Sequence, residues 1–217
     1  MNINIAIDGP SGAGKSTISD ILAKKLNFIH LDTGAMYRAV AYAALKRNFS
    51  LTEEETITDM ISKLDLDIRN DGKIFCDGED ITKKIREPHM SMAASDVSKL
   101  KKVREALVKM QQKISSKKGY ILDGRDIGTV VLKDAEVKLF LTARPEDRAK
   151  RRVLQNKENG IESNYDDIYK EILARDYQDS HRENSPLKKA EDAFVIDSSN
   201  MTIEDVVNTS LNYIYKK

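Results

Sequence analysis

Residues 3–17 read Ile3-Asn4-Ile5-Ala6-Ile7-Asp8-Gly9-Pro10-Ser11-Gly12-Ala13-Gly14-Lys15-Ser16-Thr17. The apolar run Ile3–Ile7 predicts a strand, and the apolar spacing of residues 18–26 predicts a helix. Between them, the Gly-x-x-x-x-Gly-Lys-Ser pattern predicts a phosphate-binding loop, because glycines let backbone N–H groups turn inward around a phosphate at a helix N-terminus. Lys15 would supply a cation to the β- and γ-phosphates, and the Ser16 hydroxyl would bind Mg²⁺. An ordinary glycine-rich turn is the alternative interpretation.

Four further short apolar runs alternate with helical patterns along the chain: Phe28–Leu31, Tyr120–Leu122, Val137–Leu141 and Ala193–Ile196. Continuous apolar runs suit strands covered on both faces, so we predict an α/β fold with a five-stranded parallel sheet flanked by helices. Residues 66–79 break the alternation, since they read as a β-hairpin that turns at Asn70-Asp71-Gly72. We therefore predict a core of residues 1–37 and 116–217, interrupted by an insertion of residues 38–115 with a small antiparallel sheet and helices.

The composition indicates a globular protein of modest size. Its 217 residues are 40% hydrophobic, and 36 Lys and Arg oppose 35 Asp and Glu for a net charge of +1. This balance argues against a nucleic-acid coat or a polybasic membrane binder. No apolar run approaches the ~20 residues of a membrane span, the N-terminus lacks a signal-peptide pattern, and the single Cys76 excludes an intrachain disulfide. We expect a cytoplasmic protein and, without a strong exposed apolar seam, a monomer.

Two further motifs follow predicted strands, at the carboxyl edge where parallel sheets bind ligands. Residues 32–38, Asp-Thr-Gly-Ala-Met-Tyr-Arg, bring a carboxylate, a hydroxyl, an aromatic ring and a guanidinium to this edge. The alternative is a helix start capped by Asp32 or Thr33. Residues 123–129, Asp-Gly-Arg-Asp-Ile-Gly-Thr, suit a ligand clamp, since the arginine can grip a phosphate bidentately and a carboxylate can accept from a base amino group. Asp123 alternatively orients Mg²⁺ through water.

Two groups of charged residues lie at helical spacing. The first group is Arg148, Arg151 and Arg152. A polar segment follows them, so residues 148–165 are predicted as a lid over a transferring phosphoryl group, with a solvated helix face as the alternative. The second group is Arg175, Asp179 and Arg182. For this group an i,i+4 ion-pair ladder is the alternative. The three histidines share no ligand spacing, and we assign them no chemistry.

The chain resembles bacterial cytidylate kinases of the nucleoside monophosphate (NMP) kinase superfamily, and the resemblance rests on residues 9–17, 32–38, 123–131 and 175–182. It covers essentially the whole chain and implies a P-loop NTPase fold with an inserted NMP-binding domain and a helical lid. The implied ATP-binding residues are Gly9, Pro10, Ser11, Gly12, Ala13, Gly14, Lys15, Ser16 and Thr17. The implied CMP-binding residues are Thr33, Tyr37, Arg38, Ser95, Arg104, Arg125, Asp126, Arg175, Asp179 and Arg182. The implied catalytic residues are Lys15, Arg125, Arg148, Arg151 and Arg152.

The same resemblance implies separate roles within the acceptor site. The residues that would grip the phosphate of CMP are Arg38 and Arg125. Those that would read the cytosine edge are Arg104 and Asp126, with Thr33 and Arg182 nearby. Those that would face the sugar are Ser95, Arg175 and Asp179.

The reaction that the resemblance implies is the ATP-dependent phosphorylation of CMP and dCMP, with Mg²⁺ as cofactor and small-molecule nucleotides as the only partners. One alternative is a kinase of another small acceptor, such as UMP, AMP or shikimate. A second alternative is a non-catalytic P-loop nucleotide switch.

Overall fold

The computed structural model describes residues 2–69 and 72–217. Within these ranges the strands are β1 (Ile5–Asp8), β2 (Ile29–Asp32), β3 (Leu66–Ile68), β4 (Ile74–Cys76), β5 (Glu79–Asp80), β6 (Tyr120–Gly124), β7 (Val137–Thr142) and β8 (Phe194–Asp197). The helices are α1 (Lys15–Leu26), α2 (Thr33–Lys46), α3 (Glu54–Lys63), α4 (Pro88–Val97), α5 (Lys101–Ser115), α6 (Pro145–Glu158), α7 (Tyr165–His181) and α8 (Ile203–Ile214). A 3-10 turn spans Lys84–Arg86, and one π-helical turn spans Ile127–Val131.

The larger sheet has the strand order β2-β6-β1-β7-β8, and every neighbouring pair runs parallel. Its registers place Asp8 beside Gly124 and Asp32 beside Asp123. The carboxyl ends of the strands therefore meet at one edge, and the loop after β1 lies at the centre of that edge. The predicted five-stranded parallel sheet flanked by helices is confirmed.

The smaller sheet is antiparallel and has the order β3-β4-β5. Leu66 lies beside Cys76 and Ile68 beside Ile74, so β3 and β4 pair as the sequence predicts. The predicted turn residues Asn70-Asp71 lie outside the described ranges. This sheet falls within the segment of residues 38–115, whose boundaries as an inserted domain stay a prediction.

Two clusters of buried side chains cover the two faces of the parallel sheet. One cluster joins α1 and α8 to β1, β7 and β8. The other joins Ala6, Leu31 and Leu122 of the sheet to side chains from α2, α3, β4, α4 and α5. The segment of residues 38–115 thus shares its hydrophobic cluster with the sheet. Among the described residues, no helix is both long enough and apolar enough to cross a membrane.

Candidate active site

The loop between β1 and α1 has the backbone geometry of an anion cradle. Gly9 has a φ of 147°, and a Cβ there would lie 1.9 Å from the carbonyl oxygen of Leu141, so a side chain cannot fit. Gly14, with a φ of 91°, forms the N-cap of α1. The Lys15 Nζ donates a hydrogen bond of 2.8 Å to the carbonyl oxygen of Pro10, which folds its side chain back over the loop. The backbone N–H groups of a glycine-rich turn at a helix N-terminus suit a phosphate, so this geometry is consistent with the predicted phosphate-binding loop.

The ammonium group of Lys15 lies in a buried and cationic environment. Burial is the main cause that lowers the pKa of Lys15 to about 7, and the charges of Arg125 and Arg175 add to this effect. The carboxylates of Asp123 and Asp179 oppose it. A buried ammonium near two guanidinium groups is costly unless an anion joins them. The loop is therefore prepared for a ligand that carries several negative charges.

The motif of residues 32–38 starts α2 and holds an arginine at the sheet edge. Asp32 Oδ1 accepts from the Ala35 N–H at 2.8 Å, so the capped helix start that the sequence left open is present. Asp32 Oδ2 accepts from Arg38 Nη2, also at 2.8 Å. The hydroxyl of Thr33 donates to the carbonyl oxygen of Asp123 at 2.7 Å, which ties α2 to the end of β6. The predicted alternative, a capped helix start, is therefore present, and the same carboxylate holds Arg38 at the sheet edge; ligand binding by this motif stays a prediction.

A buried ion pair closes the inner end of the site. The Arg104 Nη2 of α5 donates to Asp126 Oδ2 at 2.5 Å, and the two side chains are 4% and 7% exposed. Arg182 Nη2 lies 3.8 Å from the second carboxylate oxygen of Asp126. The guanidinium carbon of Arg104 is 5.5 Å from the centre of the Tyr37 ring. An aromatic ring beside a fixed donor and a fixed acceptor suits a planar heterocycle with a polar edge.

A second charged group surrounds Asp179 on α7. Arg125 Nε donates to Asp179 Oδ2 at 2.7 Å, and Arg175 Nε lies 3.9 Å from the same oxygen. Burial is the main cause that lowers the pKa of Arg175 to about 10, and the charges of Arg125, Arg38 and Arg152 add to it. Several guanidinium groups thus share few carboxylates, and the remaining positive charge favours an anionic ligand.

Contacts between α4 and α7 place the predicted Ser95 next to this group. Ser95 Oγ accepts from Gln178 Nε2 at 2.5 Å, and Arg175 Nη1 donates to the hydroxyl of Ser91. Ser95 is 2% exposed, so its hydroxyl lies inside the contact between the two helices. The structure therefore brings the predicted acceptor residues together from α2, α4, α5, α7 and the end of β6.

Unpartnered donors mark the interior of this site. Among the residues that the structure describes, the buried side-chain atoms without a hydrogen-bond partner include four arginine nitrogens: Arg38 Nε, Arg104 Nε, Arg175 Nε and Arg182 Nη2. A buried donor left unpaired costs about 1–3 kcal/mol, and charged groups cost more. Anionic or carbonyl oxygens of a ligand would satisfy such donors. These four buried nitrogens therefore remain available as donors to the acceptor oxygens of a ligand.

The structure does not bring together the three arginines predicted for the lid. Arg148 is 3% exposed. Its Nη1 donates to the carbonyl oxygen of Ser11 at 3.0 Å, and its Nη2 lies 2.6 Å from Asp176 Oδ2. Arg148 thus joins the phosphate loop to α7. It faces inward because this turn of α6 packs directly against the loop, where a Cβ on Gly12 would lie 3.2 Å from the Arg148 Cβ.

The other two arginines of α6 point to different neighbours. Arg151 Nη1 donates to the hydroxyl of Ser198 at 3.0 Å, beyond the end of β8. Burial lowers the pKa of Arg152, and the positive charge of Arg38 lowers it further, which places Arg152 within the electrostatic reach of the acceptor arginines. Residues three and four apart on a helix lie on the same side of it. Here, however, each of the three side chains lies beside a different part of the structure. The lid assignment stays a prediction for all three.

His30 is a residue to which the sequence analysis assigned no chemistry. Its Nδ1 lies 2.6 Å from Asp20 Oδ1 and its Nε2 lies 2.7 Å from Asp123 Oδ1. Although burial opposes the charged ring, these hydrogen bonds raise the pKa of His30 to about 10. The second oxygen of Asp123 accepts from the Ser16 hydroxyl at 2.9 Å. The register of β2 with β6 explains the contact with Asp123, because His30 pairs with Ile121 and so faces the same side as Asp123; nothing in the sequence alone indicates this pairing.

Comparisons with known proteins show the family to which this chain belongs. The sequence profile of the family described as cytidylate kinase matches residues 5–216. A cytidylate kinase of Caldicellulosiruptor saccharolyticus is 56% identical over 217 residues, covering 99% of this chain and 96% of that protein. A cytidylate kinase of Clostridium acetobutylicum is 48% identical over 217 residues and covers both chains fully.

Among solved structures, an uncharacterized protein from Eubacterium ventriosum is similar over 100% of both chains, with a TM-score of 0.56 and 13% identity. At this identity the likeness concerns the fold alone. The family profile and the relatives at 48% and 56% identity extend over nearly the whole chain, including the phosphate loop and the arginine-lined site. This chain is therefore a phosphotransferase and belongs to the cytidylate kinase family.

Proposed function

We propose that this chain transfers the γ-phosphoryl group of ATP to the 5′-phosphate of CMP or dCMP, which gives ADP and CDP or dCDP. The observation that carries the proposal is the set of unpartnered arginine nitrogens in the acceptor site, together with the Arg104–Asp126 pair. Membership of the cytidylate kinase family does not favour the two alternatives. These were a kinase of UMP, AMP or a shikimate-like acceptor, and a non-catalytic nucleotide switch.

In the proposed reaction, an anionic oxygen of the CMP phosphate attacks the γ-phosphorus, and the bond to the β–γ bridging oxygen breaks. The acceptor is already deprotonated, so the chain needs no general base. Its task is to place the two phosphates in line and to stabilise charge on the transferring group. Lys15 and Arg125 suit this task because both lie at the junction between the loop and the acceptor site.

The acceptor residues divide by their chemistry in the proposed complex. Arg38 and Arg125 grip the phosphate of CMP. Asp126 accepts from the amino group of cytosine, and Arg104 donates to the ring nitrogen or carbonyl. Thr33, Tyr37 and Arg182 line the base, and the residues that face the sugar are Ser95, Arg175 and Asp179. The proposed ATP-binding residues are those of the loop from Gly9 to Thr17.

The residues next to the loop fit a bound magnesium ion. Ser16 and Asp123 supply a hydroxyl and a carboxylate that already contact each other, and hard oxygen donors are the ligands that Mg²⁺ prefers. We propose that Ser16 holds the ion and that Asp123 orients it through water, with His30 fixing the carboxylate. When bound, the ion would neutralise charge on the β- and γ-phosphates.

The lid and the surroundings of the enzyme complete the proposal. Residues 148–165 would cover the phosphates, with Arg148, Arg151 and Arg152 as candidates for contact with the transferring group. We infer that a cytoplasmic monomer acts on free nucleotides and that neither nucleic acid nor a membrane takes part.

We expect ATP binding to take up a proton through Lys15. The pKa of Lys15 is about 7 in this structure, so at pH 8 most of the side chain is neutral. A polyphosphate beside Nζ favours the charged form and raises the pKa, so binding at pH 8 should consume approaching one proton, about 0.9 at most. Titration calorimetry in buffers of different ionisation enthalpy measures this number. Binding heats that do not depend on the buffer would contradict the expectation, and Lys15→Ala is the matched control without the titrating group.

A coupled ADP-release assay with a panel of monophosphates tests the proposed function. CMP and dCMP should both be good acceptors, and UMP should be poorer by at least about tenfold in kcat/KM, for which a difference of roughly 1.4 kcal/mol suffices. AMP should be poorer still because a purine does not match the ring position that Asp126 and Arg104 define. Turnover of UMP or AMP equal to that of CMP would overturn the proposal.

A further inference from the structure

Asp8, the last residue of β1, has a carboxylate that belongs neither to the proposed ATP-binding residues nor to the proposed CMP-binding residues. It is 4% exposed. Its Oδ1 accepts from the backbone N–H of Ile127 and its Oδ2 accepts from the backbone N–H of Gly128, each at 2.8 Å. Both oxygens of one buried carboxylate are therefore devoted to two consecutive amides of another segment.

Those two amides open the π-helical turn that directly follows Asp126. The turn is closed by hydrogen bonds from the Val131 N–H to the Asp126 carbonyl oxygen at 3.2 Å and from the Leu132 N–H to the Ile127 carbonyl oxygen at 2.7 Å. The first N–H groups of a helical turn have no partner within it. Asp8 supplies both partners, so its carboxylate fixes where the turn begins and hence where Asp126 stands.

The position of Asp8 in the chain connects this anchor to the phosphate loop. Gly9, the first residue of the loop, follows it covalently, and Asp8 lies beside Gly124 in the register of β1 with β6. The chain leaves Gly124, passes through Arg125 and Asp126, and returns over the end of β1 to the Asp8 carboxylate. Asp8 is thus joined to the phosphate loop by a peptide bond. It is joined by two hydrogen bonds to residues 125–128, which we call the base-side segment.

The electrostatic surroundings make this anchor costly. Burial raises the pKa of Asp8 to about 6, and the negative charge of Asp126 raises it, while the two backbone N–H groups and the charge of Lys15 act in the opposite direction. From β7, the methylenes of Lys138 pack against Gly128, but its ammonium pairs with Asp192 at 2.9 Å. A carboxylate kept buried near a second carboxylate costs stability, and the two backbone hydrogen bonds and the charge of Lys15 offset part of that cost.

We propose that Asp8 is a positioning residue. It fixes the position of the base-side segment relative to the phosphate loop and thereby sets the affinity for the acceptor nucleotide. This inference rests on the proposed function. Asp8 does not touch the acceptor in this arrangement; it acts through the backbone of Ile127 and Gly128 on Asp126 and Arg125. The donor side should be insensitive to it, because the loop is held by its own glycines and by Lys15.

The variant Asp8→Asn tests the proposal, because an amide keeps the shape but has one acceptor oxygen, and its NH₂ group would face a backbone N–H. The KM for CMP should rise by at least about tenfold, as expected when a hydrogen bond to a charged group is lost, while the KM for ATP stays within about twofold. Asp59→Asn, an exposed carboxylate in an i,i+4 pair with Lys63, is the matched control and should change neither constant. Equal rises in both KM values, or no rise in either, would overturn the inference.

A pH profile adds a readout that a purely structural role would not move. As the pH falls through about 6, Asp8 of the wild type becomes protonated and loses one of its acceptors. The ratio of the KM for CMP in Asp8→Asn to that in the wild type should therefore fall toward one below pH 6. The ionisation of the CMP phosphate is common to both proteins and cancels in this ratio. A ratio that does not change with pH would contradict the role of the Asp8 charge.

A second variant covers the case in which Asp8→Asn does not fold. In Gly128→Ala, the new Cβ would lie 3.1 Å from Lys138 Cδ and 3.4 Å from Asp8 Oδ2, so the turn must shift slightly while the flexible lysine gives way. The same pattern is expected at smaller size, a rise of about threefold in the KM for CMP alone. An unchanged KM for CMP here would count against the inference. Wild-type enzyme without CMP turnover would instead contradict the proposed function itself.

Discussion

Replacing Lys15 by alanine is expected to lower kcat by about 10²–10³-fold or more, because the transferring phosphoryl group loses a positioned cation. The effect should be large since Lys15 acts from a buried position, where charges interact strongly. The fold should be retained, because the Lys15 ammonium donates its hydrogen bond to the Pro10 carbonyl oxygen within its own loop. The Lys15 side chain belongs to neither of the two hydrophobic clusters. Steady-state turnover with ATP and CMP measures the loss, and the thermal unfolding temperature checks the fold.

The matched control for this experiment is Lys24→Ala, an exposed lysine on the same helix. It should leave kcat unchanged. Lys15→Met, which keeps most of the methylene chain without the charge, separates charge from packing and should behave like Lys15→Ala. Near-normal turnover in either Lys15 variant, with a folded protein, would remove Lys15 from the mechanism.

Replacing Asp126 by asparagine should damage the use of CMP much more than the use of UMP. Cytosine presents an amino donor where uracil has a carbonyl oxygen, so a carboxylate accepts from the first and repels the second. We expect kcat/KM for CMP to fall about 10- to 100-fold, while that for UMP falls less or rises, because an amide can donate to the uracil oxygen. The ratio of the two kcat/KM values is the measurement.

Asparagine is preferred to alanine here because the Arg104–Asp126 pair is buried. Removing the partner of a buried charge costs about 3–5 kcal/mol, so Asp126→Ala would confuse loss of recognition with loss of the fold. Asp134→Asn, an exposed carboxylate a few residues further along, is the control and should not alter the ratio. Equal proportional losses on CMP and UMP would mean that Asp126 serves the fold or the metal and does not read the base.

Local patterns carried most of the fold prediction. The apolar runs located every strand of the parallel sheet, but each strand ends one or two residues later than its run, at Asp8, Asp32, Gly124, Thr142 and Asp197. Backbone pairing continues after the side chains turn polar, because the sheet ladder is made by main-chain groups. The same displacement puts polar side chains at the edge where ligands bind.

Side-chain partners across the fold were beyond the sequence. The helical spacing of Arg148, Arg151 and Arg152 suggested one cluster, but the packing of α6 against the phosphate loop gives each a different neighbour. His30 and Asp8 acquire their partners only through strand register, at Asp123 and at the amides of the π-helical turn. These contacts join residues that are more than 90 positions apart in the chain. The periodicity of apolar residues in the sequence carries no information on such contacts.

The shared hydrophobic cluster limits how this chain can be altered by engineering. Ala6, Leu31 and Leu122 of the central sheet share their buried cluster largely with side chains from residues 38–115, so deleting that segment would expose apolar side chains of β1, β2 and β6 to water. The segment therefore cannot be deleted, or moved to another phosphate-loop protein, unless other apolar side chains replace its contacts with the sheet. Because the two parts bury each other, we expect them to melt in a single cooperative transition.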